Sequence, residues 1–302
     1  MTVPQAEADT VRRTAWAKIN LTLHVTGRRD DGYHELDSLI VFAGIGDGLE
    51  IAPGPEVALE IAGPFAPVLR AADSENLVVV AARALAARYG IEAGAHLRLD
   101  KQLPVAAGLG GGSADAAAAL HGLVDFWGLD PPVAELHALA ATLGADVPVC
   151  LFGRPSFVAG IGERIAPALA LPPAWFVLVN PGVPLSTAAV FAARQGGFSA
   201  PARWREPISE LRAWVARLAA CRNDLEAPAL ELAPDIREVL ATLRDTAGCM
   251  LARMSGSGAT CFGLYALEAA AQAAARRIAA TRPGWWVRAA PLRTGTASIG
   301  HN

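Results

Sequence analysis

The stretch PVAAGLGGGSADAAAAL at residues 104–120 constrains this chain more than any other. Gly108, Gly110, Gly111 and Gly112 crowd into five positions, and an alanine-rich run follows Ser113 directly. Glycine opens left-handed backbone that other residues avoid, and alanine is the strongest helix former. A sharply turning loop must therefore feed straight into a helix, which the spacing predicts to run to about Trp127. The first N–H groups of a helix lack internal partners and carry the positive end of its dipole, so such a loop suits a phosphate. It is no Walker loop, because no lysine follows the glycines, and it is a weak dinucleotide fingerprint, because Ser113 stands where a third glycine belongs.

The rest of the chain alternates strands and helices. WAKINLTLHV at 16–25 has a period of two, with Ile19, Leu21 and Leu23 on one face and Lys18, Asn20, Thr22 and His24 on the other, which predicts a half-buried strand. LIVFAGIGDGLEIAP reads as strands with glycine breaks, and the next helix as capped by Ser74 and stopped at Gly90. Asp146 reads as a loop residue, with Pro148 holding Val147 extended. Beyond residue 160 the texture changes to buried strands, hairpins and amphipathic helices, which predicts an α+β protein of two domains, 1–160 and 161–302. The first ten residues read as a frayed tail.

Composition removes several function classes. A chain of 302 residues can bury a full core, and a net charge of −3 gives no basic excess for nucleic acid. The N-terminus has no apolar segment of a signal peptide, and no uncharged apolar run is long enough to span a membrane. Four scattered cysteines without a C-x-x-C pair read as reduced thiols, so a cytoplasmic protein is expected.

Other short stretches carry chemistry. RMSGSGATCFGLY holds a second glycine loop, Gly256-Ser257-Gly258, which reads as a hairpin turn or as a second contact to one polyanion. Lys18 and Asp146 form a candidate constellation, but read singly as a solvated lysine and a loop cap, and the sequence does not bring them together. Tyr33 and His34 in DGYHELDS offer a stacking ring and a hydrogen-bonding imidazole. NDLE at 223–226 reads as capping alone.

Taken in order, AKINLTLHVTGRRDDGYHELDSLI, LPVAAGLGGGSADAAAAL, LGADVPVCLFG, NPGVPLSTAAVF, NDLE and RMSGSGATCFGLY resemble the GHMP kinase family. AKINLTLHV followed by DGYHEL resembles those members that act on 4-diphosphocytidyl-2-C-methyl-D-erythritol. The resemblance implies a two-domain α+β GHMP kinase fold, with an N-terminal domain like ribosomal protein S5 domain 2 and a ferredoxin-like C-terminal domain. It implies ATP-dependent phosphorylation of a tertiary 2-hydroxyl, with Lys18 and Asp146 flanking that hydroxyl and Asn20 near the substrate. Tyr33 and Phe191 would stack on cytosine, His34 would bond its edge, and Thr187 would line the same pocket. Pro104, Gly108, Leu109, Gly110, Gly111, Gly112 and Ser113 would hold ATP, Ser113 would ligate Mg2+, and Gly256, Ser257 and Gly258 would close the site. The partner would be a small molecule, with no nucleic acid and no membrane, and the chain a monomer or homodimer. Other readings are a homoserine- or mevalonate-type kinase of the same family, or a nucleotide-binding protein without turnover.

Overall fold

The computed structural model describes residues 10–72 and 74–294. The tail expected over the first ten residues, apart from Thr10, lies outside them, as does the chain beyond Thr294. The chain opens with strands β1 (Val11–Asn20), β2 (His24–Arg28), β3 (His34–Gly54) and β4 (Val57–Ala62). Helices α1 (Ala66–Arg70) and α2 (Leu77–Tyr89), strand β5 (Gly94–Asp100) and helices α3 (Gly111–Phe126), α4 (Val133–Leu143) and α5 (Val147–Phe152) follow. Next come strands β6 (Ser156–Gly160), β7 (Arg164–Pro167) and β8 (Trp175–Asn180), and helices α6 (Thr187–Ala193), α7 (Leu211–Ala219), α8 (Glu226–Leu232) and α9 (Asp235–Arg244). Strands β9 (Leu251–Met254) and β10 (Cys261–Tyr265), helix α10 (Glu268–Thr281) and strand β11 (Trp286–Arg293) complete it.

Two compact units share these elements, and neither is one continuous piece. The first takes the segment ending at Trp16 with Gly46–Val105 and Gly111–Leu151; the second takes Ala17–Ile45, Ala106–Gly110 and the segment from Phe152. In the first unit, β5 pairs antiparallel with the end of β3 from Gly48↔Asp100 to Gly54↔Gly94, and parallel with β4. Leu49 and Ile51 of β3 and Leu97 and Leu99 of β5 are buried with α2 and α3. Helix α3 is buried almost all round, and Ala114, Ala116, Ala117, Ala118 and Ala119 all lie in the core. Its alanines admit close neighbours where larger side chains would hold them off. A Cβ on Gly122 of α3 would lie 2.5 Å from Ile51 Cδ1.

In the second unit, β8 pairs antiparallel with β10 and β11, and β10 forms a hairpin with β9. The first half of β3 pairs antiparallel with β2 and β6 and meets β11 at Leu292↔Ala43. Helix α9 buries Ile236, Val239, Leu240 and Leu243, at the 3–4 spacing of one helical face. They pack with Val177, Val179, Cys261 and Tyr265 of the sheet and Ala271, Ala274 and Ile278 of α10. Each fully buried aliphatic side chain of this kind contributes roughly 1.5–3 kcal/mol.

Four local expectations are corrected. The helix α2 is capped not by Ser74 but by Asn76, whose side chain accepts from Val78 N at 2.9 Å. LIVFAGIGDGLEIAP is not broken at its glycines: β3 runs through them. They stand where neighbours come close, since a Cβ on Gly46 would lie 2.2 Å from Ala15 O and one on Gly44 2.7 Å from Pro291 Cγ. Residues 17–25 are buried on both faces, and β1 ends at Asn20 before β2 resumes at His24. Pro148 does not extend the chain but sits in the first turn of α5, where its missing N–H leaves no helical bond unmade.

Candidate active site

Both glycine loops place residues in the second unit, and there they meet. Gly108 and Gly110 are left-handed, with φ +73° and +61°. A Cβ on Gly108 would lie 2.3 Å from Ser255 O, so only glycine lets these backbones approach. Ser255 Oγ donates to Gly108 O at 2.9 Å and accepts from Asn20 N at 3.1 Å, while Thr260 N donates to Ala107 O at 3.1 Å. The hairpin between β9 and β10 is held from its other side by Asn223, whose Nδ2 donates to Met254 O at 2.9 Å and Gly256 O at 2.8 Å. Glu226 accepts from Met254 N at 3.0 Å. NDLE is therefore more than a helix cap: it clamps the second glycine loop.

Lys18 belongs to the same cluster and is buried, at 4% exposure, rather than solvated. Its N–H donates to Leu109 O at 2.9 Å, and its stem runs past Gly110, where a Cβ would lie 2.9 Å from Lys18 Cε. Asn20 Nδ2 donates to Ser38 Oγ at 2.8 Å, and its Oδ1 is buried without a partner within the described residues. Thr187 Oγ1 and Ser257 Oγ are 2.7 Å apart. The rings of His34 and Phe191 stack at 5.0 Å with planes 22° apart, while Tyr33 is 61% exposed on a tight turn. Burial and the nearby Arg28 and Arg194 guanidinium groups push His34 below the usual histidine range, so its ring is neutral at pH 7.

The first unit holds the remaining predicted residues. Gly111, Gly112 and Ser113 form the first turn of α3. Gly112 is exposed, and a Cβ there would meet only Leu77 Cδ1, at an ordinary 3.7 Å. Pro104 is buried. Asp146 is half-buried immediately before α5, and its carbonyl accepts from Cys150 N at 3.2 Å. Asp115 of α3 is buried in a pair with Lys101, whose Nζ lies 2.5 Å from Asp115 Oδ2 and 2.6 Å from Asp47 Oδ2. Asp47 Oδ1 accepts from the backbone N–H groups of Gln102 and Leu103, at 2.6 and 2.8 Å. Among the described residues no group of three or more His, Cys, Asp or Glu is placed to hold a metal ion.

Comparison with known proteins bears on the family and the fold. The profile of the GHMP kinases N terminal domain matches residues 76–154, and that of the GHMP kinases C terminal matches 207–283. A 4-diphosphocytidyl-2-C-methyl-D-erythritol kinase of Paramagnetospirillum magneticum is 56% identical over 91% of this chain and 96% of its own. The chain belongs to the GHMP kinase family. A second GHMP kinase of the same description, from Rhodospirillum rubrum, is 50% identical over 99% of this chain and 98% of its own. The crystal structure of a 4-(cytidine 5'-diphospho)-2C-methyl-D-erythritol kinase superposes with a TM-score of 0.77 at 36% identity, over 94% of this chain and all of that one. Homoserine kinase from Cytophaga hutchinsonii, at 18% identity and a TM-score of 0.71, shares the fold. The architecture is thus the α+β two-domain fold of GHMP kinases, which use ATP on a small-molecule acceptor. Among the described residues no helix is long and apolar enough to cross a membrane.

Proposed function

We propose that this GHMP kinase transfers the γ-phosphate of ATP to the 2-hydroxyl of 4-diphosphocytidyl-2-C-methyl-D-erythritol, giving the 2-phosphate and ADP. The observation that carries the reading is the 56% identity to a kinase of that description over nearly the whole of both chains. The cytosine end of the acceptor is assigned to Tyr33, His34, Phe191 and Thr187, with Asn20 nearer the reacting hydroxyl. A neutral His34 keeps both a donor and an acceptor for a base edge. The triphosphate is assigned to Gly108–Ser113, Leu109 included, together with Pro104, and Gly256, Ser257 and Gly258 to closure over the substrate. In family terms, residues 1–160 would be the ATP-binding and catalytic domain and 161–302 the substrate-binding domain.

Gly112 supports the nucleotide assignment. Among the described residues a Cβ there would meet only Leu77 Cδ1, at an ordinary 3.7 Å, so no close neighbour calls for glycine, whereas a closely approaching phosphate would. Magnesium fits as an ion carried by the phosphates: Ser113, partly exposed in the first turn of α3, offers a hydroxyl, while Asp115 is committed to Lys101. Bound there it would spread the triphosphate's charge.

Asp146 and Lys18 are assigned to the transfer itself. An alcohol with a pKa near that of water, ~15.7, would need about 12 kcal/mol to lose its proton fully at pH ~7. A kinase turning over at ~10 per second has a total barrier of about 16 kcal/mol. Prior deprotonation would leave about 4 kcal/mol for breaking the phosphate bond, too little for that step. Asp146 therefore orients the hydroxyl and takes its proton late, as the loose phosphoryl group is captured. Lys18 offsets charge on the incoming oxygen and the γ-phosphate.

One assay tests the function: ADP release with 4-diphosphocytidyl-methylerythritol, homoserine or mevalonate as acceptor. Release with the first alone is the expected result. Release with another alone reassigns the substrate, and ATP binding without release marks a binding protein.

A further inference from the structure

Of the 26 lysines and arginines in this chain only Lys18 and Lys101 are lysines, and both are buried. Everywhere else the chain uses the larger, forked guanidinium. Lys18 is assigned to the transfer, but Lys101 has no role in it. At 2% exposure it sits between two carboxylates that are themselves almost fully buried. Asp47 is satisfied independently by the Gln102 and Leu103 amides, and Asp115 has one oxygen without a partner within the described residues. Burying three ionisable groups costs several kcal/mol per charge, and an apolar trio of equal volume is often as stable. The arrangement calls for a reason other than stability.

Its position supplies one. Asp115 is one turn along α3 from Gly111, and the Lys101 ammonium lies 3.0 Å from where a Cβ of Gly111 would be. The ammonium thus bears on the first residue of α3 and is tied to the same helix one turn on. A compact ammonium fits there, whereas a planar guanidinium would not. We propose that Lys101, held by Asp47 and Asp115, is a positioning residue for the nucleotide: it fixes the first turn of α3 so that the N–H groups of Gly111–Ser113 stand ready for phosphate. The role rests on the ATP reading above. Preorganised donors act by avoiding the reorganisation that a frayed first turn would have to undergo on binding.

The test measures binding of the non-hydrolysable analogue AMP-PNP with magnesium, and separately of cytidine 5′-diphosphate, by calorimetry. Asp115→Asn keeps an acceptor for Lys101 and is expected to bind AMP-PNP within about threefold of wild type. The double variant Lys101→Met/Asp115→Asn removes the ammonium and one carboxylate together, leaving the Asp47 carboxylate held by its two backbone donors. It is expected to bind AMP-PNP about tenfold more weakly or worse, with cytidine 5′-diphosphate binding unchanged. Double-variant affinity within twofold of wild type overturns the proposal. Equal loss of both ligands, or a double variant that does not fold, also overturns it, because the trio is then only structural. A wild-type chain that does not bind AMP-PNP defeats the ATP reading, and this inference falls with it.

Discussion

Gly112 and its neighbours show how one residue type does several jobs in five positions. Gly108 and Gly110 need left-handed backbone and leave room for Ser255 and Lys18, and Gly111 leaves room for the Lys101 ammonium. Gly112 is exposed and would accept a Cβ, with only Leu77 Cδ1 at 3.7 Å. Gly112→Ala is therefore expected to keep or slightly raise Tm, since alanine is favoured over glycine in a helix by about 1 kcal/mol, while KM for ATP rises about tenfold. Thermal melts and steady-state kinetics on one preparation check both halves; unchanged KM would remove Gly112 from the nucleotide site. Asp146→Asn is expected to cut kcat by several orders with acceptor binding largely kept, and Lys18→Ala to depress kcat as well. Near-wild-type turnover of the first, or a pure KM effect in the second, contradicts the transfer roles.

Elements show where the sequence was readable. The glycine loop, the helix after it, the β9–β10 hairpin and the amphipathic α9 follow from local pattern, because glycine, alanine and helical periodicity act within a few residues. Lys101 was legible too. It follows β5 in the parity of Leu97 and Leu99, and Asp47 shares that of Leu49 and Ile51 within β3, so each is a charge in register with the buried face of a strand. Such a residue demands an opposite charge. Which carboxylate answers it depends on strand pairing, and no local pattern carries that. NDLE was opaque for the same reason: Asn223 reaches the carbonyls of Met254 and Gly256, more than 30 positions away. The buried face of Lys18 was hidden because alternation reveals two faces but not what covers the polar one. Asn223→Ala should leave both carbonyls without their donor, costing about 2–3 kcal/mol in a denaturant titration, and should loosen Gly256–Gly258 enough to raise the acceptor KM. A variant with wild-type KM would confine Asn223 to stability.

At the scale of the whole molecule, the buried trio shapes how stability follows pH. Burial, together with the charge of Asp47, pushes the Asp115 carboxyl up to about 7, against the pull of Lys101. Between an unfolded value near 4 and about 7 the folded chain then holds a proton that the unfolded chain has released. This contribution is fully present below that window and is lost as pH rises through it. Asn at position 115 does not ionise, so the Tm of Asp115→Asn minus that of wild type should increase from pH 4 to pH 8. Parallel melts at several pH values read the difference directly, and a flat difference would mean that Asp115 ionises alike in both states.

The strand pairings also set an order in time. Ala43 lies opposite Leu292, and Asp37 opposite Ala159, so the second unit's opening strands are made long before their partners exist. At about 5–20 residues per second, a ribosome needs roughly 12–50 seconds to go from Ala43 to Leu292. All segments of the first unit have been made by Leu151, before β8, β10 and β11 exist. During the remaining interval the apolar strand around Leu39–Ala43 is without its final neighbour, so a newly made chain is most exposed to misassembly there.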